Sequence, residues 1–156
     1  MNNVVESRLL HNNIEIPVAT KVLASYVPYR IHNNLVYISG QLPMWEGNPT
    51  FMGKVGKDID LEQAQEAAAL CALNILAQLK SACDGDLDRV DFCVRLGGFV
   101  NCTETYTDIH KVINGASDLM IKAFGEQGLH ARAAIGVYSL PLGVAVEVEA
   151  IFALKA

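Results

Sequence analysis

At 156 residues, about half of them apolar (51%) and 19% charged, the chain can bury a real core and carries no disorder signature. Its net charge of −5 and its singly scattered basic residues exclude the clustered Lys and Arg that phosphate contacts need, so no nucleic-acid partner is expected. No apolar run is long enough to span a bilayer and the start lacks a signal-peptide pattern. The cysteines (Cys71, Cys83, Cys93, Cys102) form no CxxC pair, so the expectation is a soluble cytoplasmic protein with reduced, mostly buried thiols.

In chain order, Val4 to Asn13 reads as a short amphipathic helix, with Val5, Leu9 and Leu10 on one side and Asn12-Asn13 and Pro17 ending it. Residues 14–25 would connect it to the main fold, with residues 1–23 forming an N-terminal helical extension and connector within one domain, 1–156. Strands are expected at Val27–His32 and Leu35–Ser39, joined through Asn33-Asn34, a pair that tolerates the positive φ of tight hairpins. Residues 44–60, with Gly47, Pro49, Gly53 and Gly56, read as an irregular loop with a short extended piece at Phe51–Val55. The strongest helical signal is Leu61 to Cys83, where Leu61, Ala64, Ala68, Cys71, Ile75 and Leu79 recur at three- and four-residue spacing. Asp58 or Asp60 would cap it. Arg89 to Asn101 alternates as a strand, with Gly97-Gly98 marking a bulge or a close backbone approach. A second long helix fits Thr105 to Phe124, closed by Gly125. Strands Ala131–Ser139 and Val144–Leu154 follow, turned by Pro141-Leu142-Gly143.

The order β-β-α-β-α-β-β predicts an α+β layer, two long helices on one face of a mixed or antiparallel sheet. The last two strands are apolar on both sides. Helices cover only one face, so the other should be buried by another subunit.

Three places could carry chemistry. Arg132, in His130-Ala131-Arg132-Ala133-Ala134-Ile135, is a guanidinium beside small residues, suited to a planar carboxylate or to a structural ion pair. Glu147 and Glu149, two apart in one strand, share a face where burial can raise proton affinity; Glu149 reads as the deeper of the two, and a solvated edge is the plainer reading for Glu147. Tyr37-Ile38-Ser39-Gly40-Gln41-Leu42-Pro43 ends a strand on a glycine that admits a ligand to the backbone, or is simply a strand exit. His11, His32, His110 and His130 lack metal-ligand spacing, and no nucleotide or nucleophile-elbow motif is present, so no metal or cofactor is expected.

Ser39-Gly40-Gln41-Leu42-Pro43, the run from Ala131-Arg132 through Leu140-Pro141, and Val146-Glu147-Val148-Glu149-Ala150-Ile151 resemble the signature of the RidA/YjgF family, over about residues 24–154. The longer N-terminus and the segment from Val112 to Asp118 look like a divergent branch. The resemblance implies a chorismate-mutase-like fold, a homotrimer with a central barrel and clefts between subunits, and hydrolysis of enamines and imines such as 2-aminoacrylate to 2-keto acids and ammonia. It implies that Arg132 binds the substrate carboxylate and that Glu149 activates water beside the backbone at Gly40. Tyr26, Ser39 and Asn114 would complete the pocket. Ala134 stands where archetypal members carry a cysteine, its backbone still free to meet the substrate nitrogen. Other readings are a non-catalytic trimer that binds keto or amino acids, and the ribonuclease activity often attached to the family, which the acidic charge disfavours.

Overall fold

The computed structural model describes residues 3–22 and 24–156; Met1, Asn2 and Leu23, all within the expected N-terminal extension, lie outside the described residues. Helix α1 (Val4–His11) comes first, then β1 (Tyr29–His32) and β2 (Leu35–Gln41), a two-residue hairpin of β3 (Met44–Trp45) and β4 (Asn48–Pro49), and helix α2 (Leu61–Ala82). Strand β5 (Val90–Asn101), helix α3 (Ile109–Phe124), β6 (Ala131–Val137) and β7 (Val146–Leu154) complete the order. The main sheet runs β1-β2-β7-β5-β6. Only the β5–β6 pair is parallel, with α3 as its crossover, so the sheet is mixed and the α+β expectation holds.

Helices α2 and α3 cover one face. Asp60 caps α2 reciprocally: its Oδ1 accepts from the Gln63 N–H at 2.8 Å and the Gln63 side chain accepts from the Asp60 N–H at 3.1 Å. The two helices touch closely, since a Cβ on Gly115 would lie 2.2 Å from the Gln65 carbonyl oxygen. Beneath them Val36, Ile38, Leu96, Val100, Val146, Val148 and Phe152 are buried, and the Phe152 ring meets Phe124 at 5.9 Å between centroids.

The structure departs from the sequence reading at three local points and decides between two alternatives at a fourth. The third helix begins at Ile109 rather than Thr105, because Thr103 and Tyr106 first make a turn packed over Gly56. In the expected loop, Glu46 and Gly47 both adopt positive φ and close the β3–β4 hairpin, while Phe51–Val55 makes isolated bridges rather than a strand. At Gly97-Gly98 the register is unbroken and close approach is the operative reason for glycine: a Cβ on Gly98 would meet Ile113 at 2.5 Å. The irregularities of β5 fall earlier, between Val90 and Phe92 and between Cys93 and Arg95. A true bulge lies in β2, where Ile38 pairs with Ala150 but Gln41 pairs with Val148, so Ser39 and Gly40 together oppose Glu149.

Helix α1 docks by Val5 and Leu9, both buried, while Leu10 is exposed, contrary to its placement on the apolar side. Its N-terminus is held by Asp88, whose Oδ2 accepts from the Val4 N–H at 2.9 Å and Oδ1 from the Val5 N–H at 3.0 Å. These bonds, with the attraction of Lys155, outweigh desolvation and hold the Asp88 carboxyl below the usual carboxylate range. No helix among the described residues is long and apolar enough to cross a membrane.

Candidate functional site

The sequence-derived residues form two groups on opposite faces of the sheet. The first lies on β6, an edge strand. Arg132 pairs in register with Leu96, which is fully buried under the helices, so the arginine emerges on the helix side. Its Nη1 donates to Asn114 Oδ1 at 2.8 Å and to Ser117 Oγ at 3.2 Å, and its Nη2 donates to the His110 carbonyl at 3.3 Å. His110, Asn114 and Ser117 stand at i, i+4 and i+7 and so present one face of α3 to the arginine. All three acceptors are neutral. Among the described residues no carboxylate lies within ion-pairing distance of Arg132, and the guanidinium is exposed. Among the described residues, the structural ion pair weighed from sequence is not formed within the chain. Asn114 is brought to Arg132, and Ala134 lies two residues further along the same face, packed against the core.

The second group lies on the open face. Glu147 pairs with Phe99 and Glu149 with Gly97, both turned away from the helices. The bulge sets Gly40 against Glu147: a Cβ there would meet the Glu147 carboxyl carbon at 2.9 Å. Ser39 Oγ donates to the Val27 carbonyl at 2.7 Å, tying β2 to the segment that carries the exposed Tyr26. Burial first, and the charge of Glu149 second, raise the Glu147 carboxyl above the ordinary carboxylate value. Glu149 instead leans across Gly97 to Arg95, at 3.8 Å, with 46% of its side chain exposed. The expected ranking of the pair is thus inverted: Glu147 is the desolvated carboxylate beside Gly40, and Glu149 is its solvated, arginine-facing neighbour.

Within one chain the two groups cannot meet. Strands β7 and β2, which carry the second group, are two and three strands from β6, about 10 and 14 Å at the usual interstrand spacing, and the side chains point to opposite faces. Two large concavities lie elsewhere: one of about 600 Å³ against the residue 15–21 connector, one of about 750 Å³ beside Lys54, Cys102 and Tyr138. Neither is lined by Arg132 or Glu147. The four cysteines are free thiols, and burial pushes Cys93 up to about 12.

Two residues that sequence reasoning left out belong to the first group: Ser117, and His130, whose Nε2 lies 2.8 Å from Ser117 Oγ. The available signal was the i, i+2 placement of His130 before Arg132, which puts both on one side of an extended chain.

The model of the YjgF/chorismate mutase-like family, whose description also carries an endoribonuclease label, matches residues 6–153. Protein TCP17 of Trypanosoma cruzi is 40% identical over 97% of this chain and 94% of its own length. The crystal structure of Atu1372 from Agrobacterium tumefaciens, a protein of unknown function, superposes with a TM-score of 0.92 at 47% identity, covering 98% of this chain and 94% of that one. A more distant likeness of fold, with a TM-score of 0.61 at 22% identity, covers 88% of this chain and 94% of E. coli TdcF, whose structure contains bound serine.

Proposed function

The chain belongs to the YjgF/chorismate mutase-like family, and from that premise we propose that it is an enamine/imine deaminase that converts reactive imino acids of the 2-aminoacrylate type to 2-keto acids and ammonia. The observation that carries the reading is Arg132, a guanidinium at the edge of the sheet oriented by three neutral acceptors and without a counter-ion among the described residues of its own chain. Such a group binds a carboxylate, and orienting the substrate turns a bimolecular attack into a directed one. The serine held by TdcF, a protein of the same fold, carries a carboxylate of this kind.

The reading includes assembly. The Arg132 group of one chain would meet the Tyr26, Ser39, Gly40 and Glu147 group of another in a cleft between subunits of a homotrimer. The exposed apolar side chains of the open face, Tyr37, Phe92 and Ile135, support burial by further copies.

In such a cleft the enamine tautomerises to the imine and water adds to the imine carbon. The nitrogen leaves as ammonia when the tetrahedral adduct collapses to the ketone. One water is consumed and no electrons are exchanged. We assign proton transfer to Glu147 rather than Glu149, because Gly40 leaves the Glu147 carboxyl beside open backbone and burial raises its proton affinity above that of an ordinary carboxylate. The Ala134 backbone would face the substrate nitrogen. The residues supply binding, orientation and proton transfer, which suffices for an already reactive substrate. Four free thiols support a reducing compartment, the cytoplasm. The net charge of −5 argues against RNA as substrate.

The test is 2-keto acid release from imino acids generated in situ by a dehydratase or an amino-acid oxidase. Wild type should accelerate release, and Arg132→Ala should lose about 100-fold or more while keeping fold and assembly. No acceleration from a folded, assembled wild type across several imino acids would replace this reading with a non-catalytic keto- or amino-acid binding protein.

A further inference from the structure

Arg132 is the end of a chain of hydrogen bonds that runs back into the turn beneath α3. His130 Nδ1 lies 2.6 Å from the Gly128 carbonyl oxygen, and His130 Nε2 lies 2.8 Å from Ser117 Oγ. A carbonyl oxygen can only accept, so Nδ1 carries the hydrogen. In the neutral ring Nε2 is then an acceptor, and the Ser117 hydroxyl must donate to it. That choice turns the lone pairs of Ser117 toward Arg132, whose Nη1 donates to them at 3.2 Å.

Both supports of the chain are fixed. Ser117 is only 9% exposed. Gly128 sits so tightly under α3 that a Cβ would fall 2.2 Å from the Met120 carbonyl oxygen, so its own carbonyl has little room to drift.

The consequence for the arginine follows from counting hydrogens. A guanidinium has five N–H bonds. Both on Nη1 are taken, by Asn114 and Ser117, and one on Nη2 is taken by the His110 carbonyl. Nε–H has no acceptor among the described residues and one Nη2–H remains, on the two nitrogens whose shared edge can take a carboxylate side-on.

We propose that Ser117 and His130 are positioning residues that lock Arg132 by its Nη1 end and leave its Nε/Nη2 edge to grip a carboxylate side-on. The functional consequence rests on the carboxylate-anchor reading above; the lock itself does not require it.

The experiment therefore has two arms. In the ligand-free protein, ¹⁵N NMR should show His130 protonated at Nδ1 and the Arg132 Nη2 and Nη1 signals resolved by slow rotation. Ser117→Ala and His130→Asn should speed that rotation and draw those signals together, because the first leaves Nη1 with Asn114 alone and the second frees the Ser117 hydroxyl hydrogen to turn toward the arginine. His130→Gln, whose amide oxygen can replace Nε2 as acceptor, should keep them resolved. In the second arm the affinity for 2-oxobutanoate is measured by calorimetry. Ser117→Ala and His130→Asn should weaken it by roughly tenfold, the usual effect of losing a hydrogen bond that orients a charged group. His130→Gln should restore it, and neither damaging change should cost anything further in an Arg132→Ala background.

An Nε2–H tautomer, or identical Arg132 rotation in all variants, would overturn the lock. A lock that holds in a wild type indifferent to 2-oxobutanoate would leave the positioning assignment standing and remove the carboxylate reading instead. Losses of affinity that persist in the Arg132→Ala background would show that Ser117 and His130 act elsewhere than through the arginine, and so refute the proposal.

Discussion

The two faces of the five-stranded sheet are built by the same strands and finished to different degrees. On the helix side alternate residues of β2, β5 and β7 are fully packed: Val36, Leu96, Val100, Val146, Val148 and Phe152 are each 0% exposed. On the other side the intervening residues include Tyr37 at 42%, Phe92 at 43% and Ile135 at 49% exposed, set among Arg95, Glu147 and Glu149. Strand alternation distributes side chains equally, but only one face finds its cover within the chain. Stability resides on the finished face, and the residues of the proposed site lie on the unfinished one or at the edge of the sheet.

The sharpest way to test that division is a pair of substitutions of similar size on opposite faces. Phe152→Ala should cost about 3–5 kcal/mol, read by chemical denaturation, because it opens a cavity against Phe124. Ile135→Asp should cost the isolated fold about 0.5 kcal/mol or less, as exposed positions do, yet abolish assembly. Sedimentation showing an intact oligomer in Ile135→Asp would mean that the open face is not where copies meet.

Two carboxylates sharpen the comparison at smaller scale. Asp88→Ala should cost about 1 kcal/mol, the usual worth of a helix cap, less what its exposure to solvent screens. The folded-state pKa of Asp88 is depressed, so its contribution is present above the ordinary carboxylate pKa and is lost as pH falls through the lowered value. The fall should be visible as early release of the N-terminal helix in hydrogen exchange at acid pH. Glu147 has the opposite sign. Its folded form binds the proton more tightly than the unfolded chain does, so stability declines as pH rises from the ordinary carboxylate pKa through the raised one. Glu147→Gln should flatten that slope, an effect below about 1 kcal/mol for a partly exposed group, measured by denaturation across the weakly acidic range.

How much of this was legible in the sequence depends on the range of the interaction that decides it. The helix from Leu61 was plain because its spacing and the Asp60–Gln63 cap are local, and the last two strands were plain as apolar runs parted by Pro141-Leu142-Gly143. The start of α3 was not, because Tyr106 packing over Gly56 is a contact across fifty residues that stops Thr105 from joining the helix. The roles of Glu147 and Glu149 were equally hidden. Their surroundings depend on a one-residue bulge at Ser39-Gly40, which shifts the glycine along β7 and which the motif there does not distinguish from a plain strand exit. Arg132 and Asn114 could be named in advance, but Ser117 and His130 could not be joined to them without knowing how α3 crosses β6.

The capping of α1 also constrains the order in which the molecule forms. Asn3 adopts a left-handed conformation and makes no side-chain cap, so the first turn of this eight-residue helix depends on Asp88, more than eighty positions downstream. Its other polar anchor, the Glu6–Lys80 pair at 2.7 Å, is almost as remote. A helix this short is marginal alone in water. It should therefore condense only after the α2–β5 corner exists, as a late latch rather than a nucleus. Weakening Asp88 should then leave the refolding rate nearly untouched and speed unfolding, so α1, last to dock, becomes the brake on coming apart.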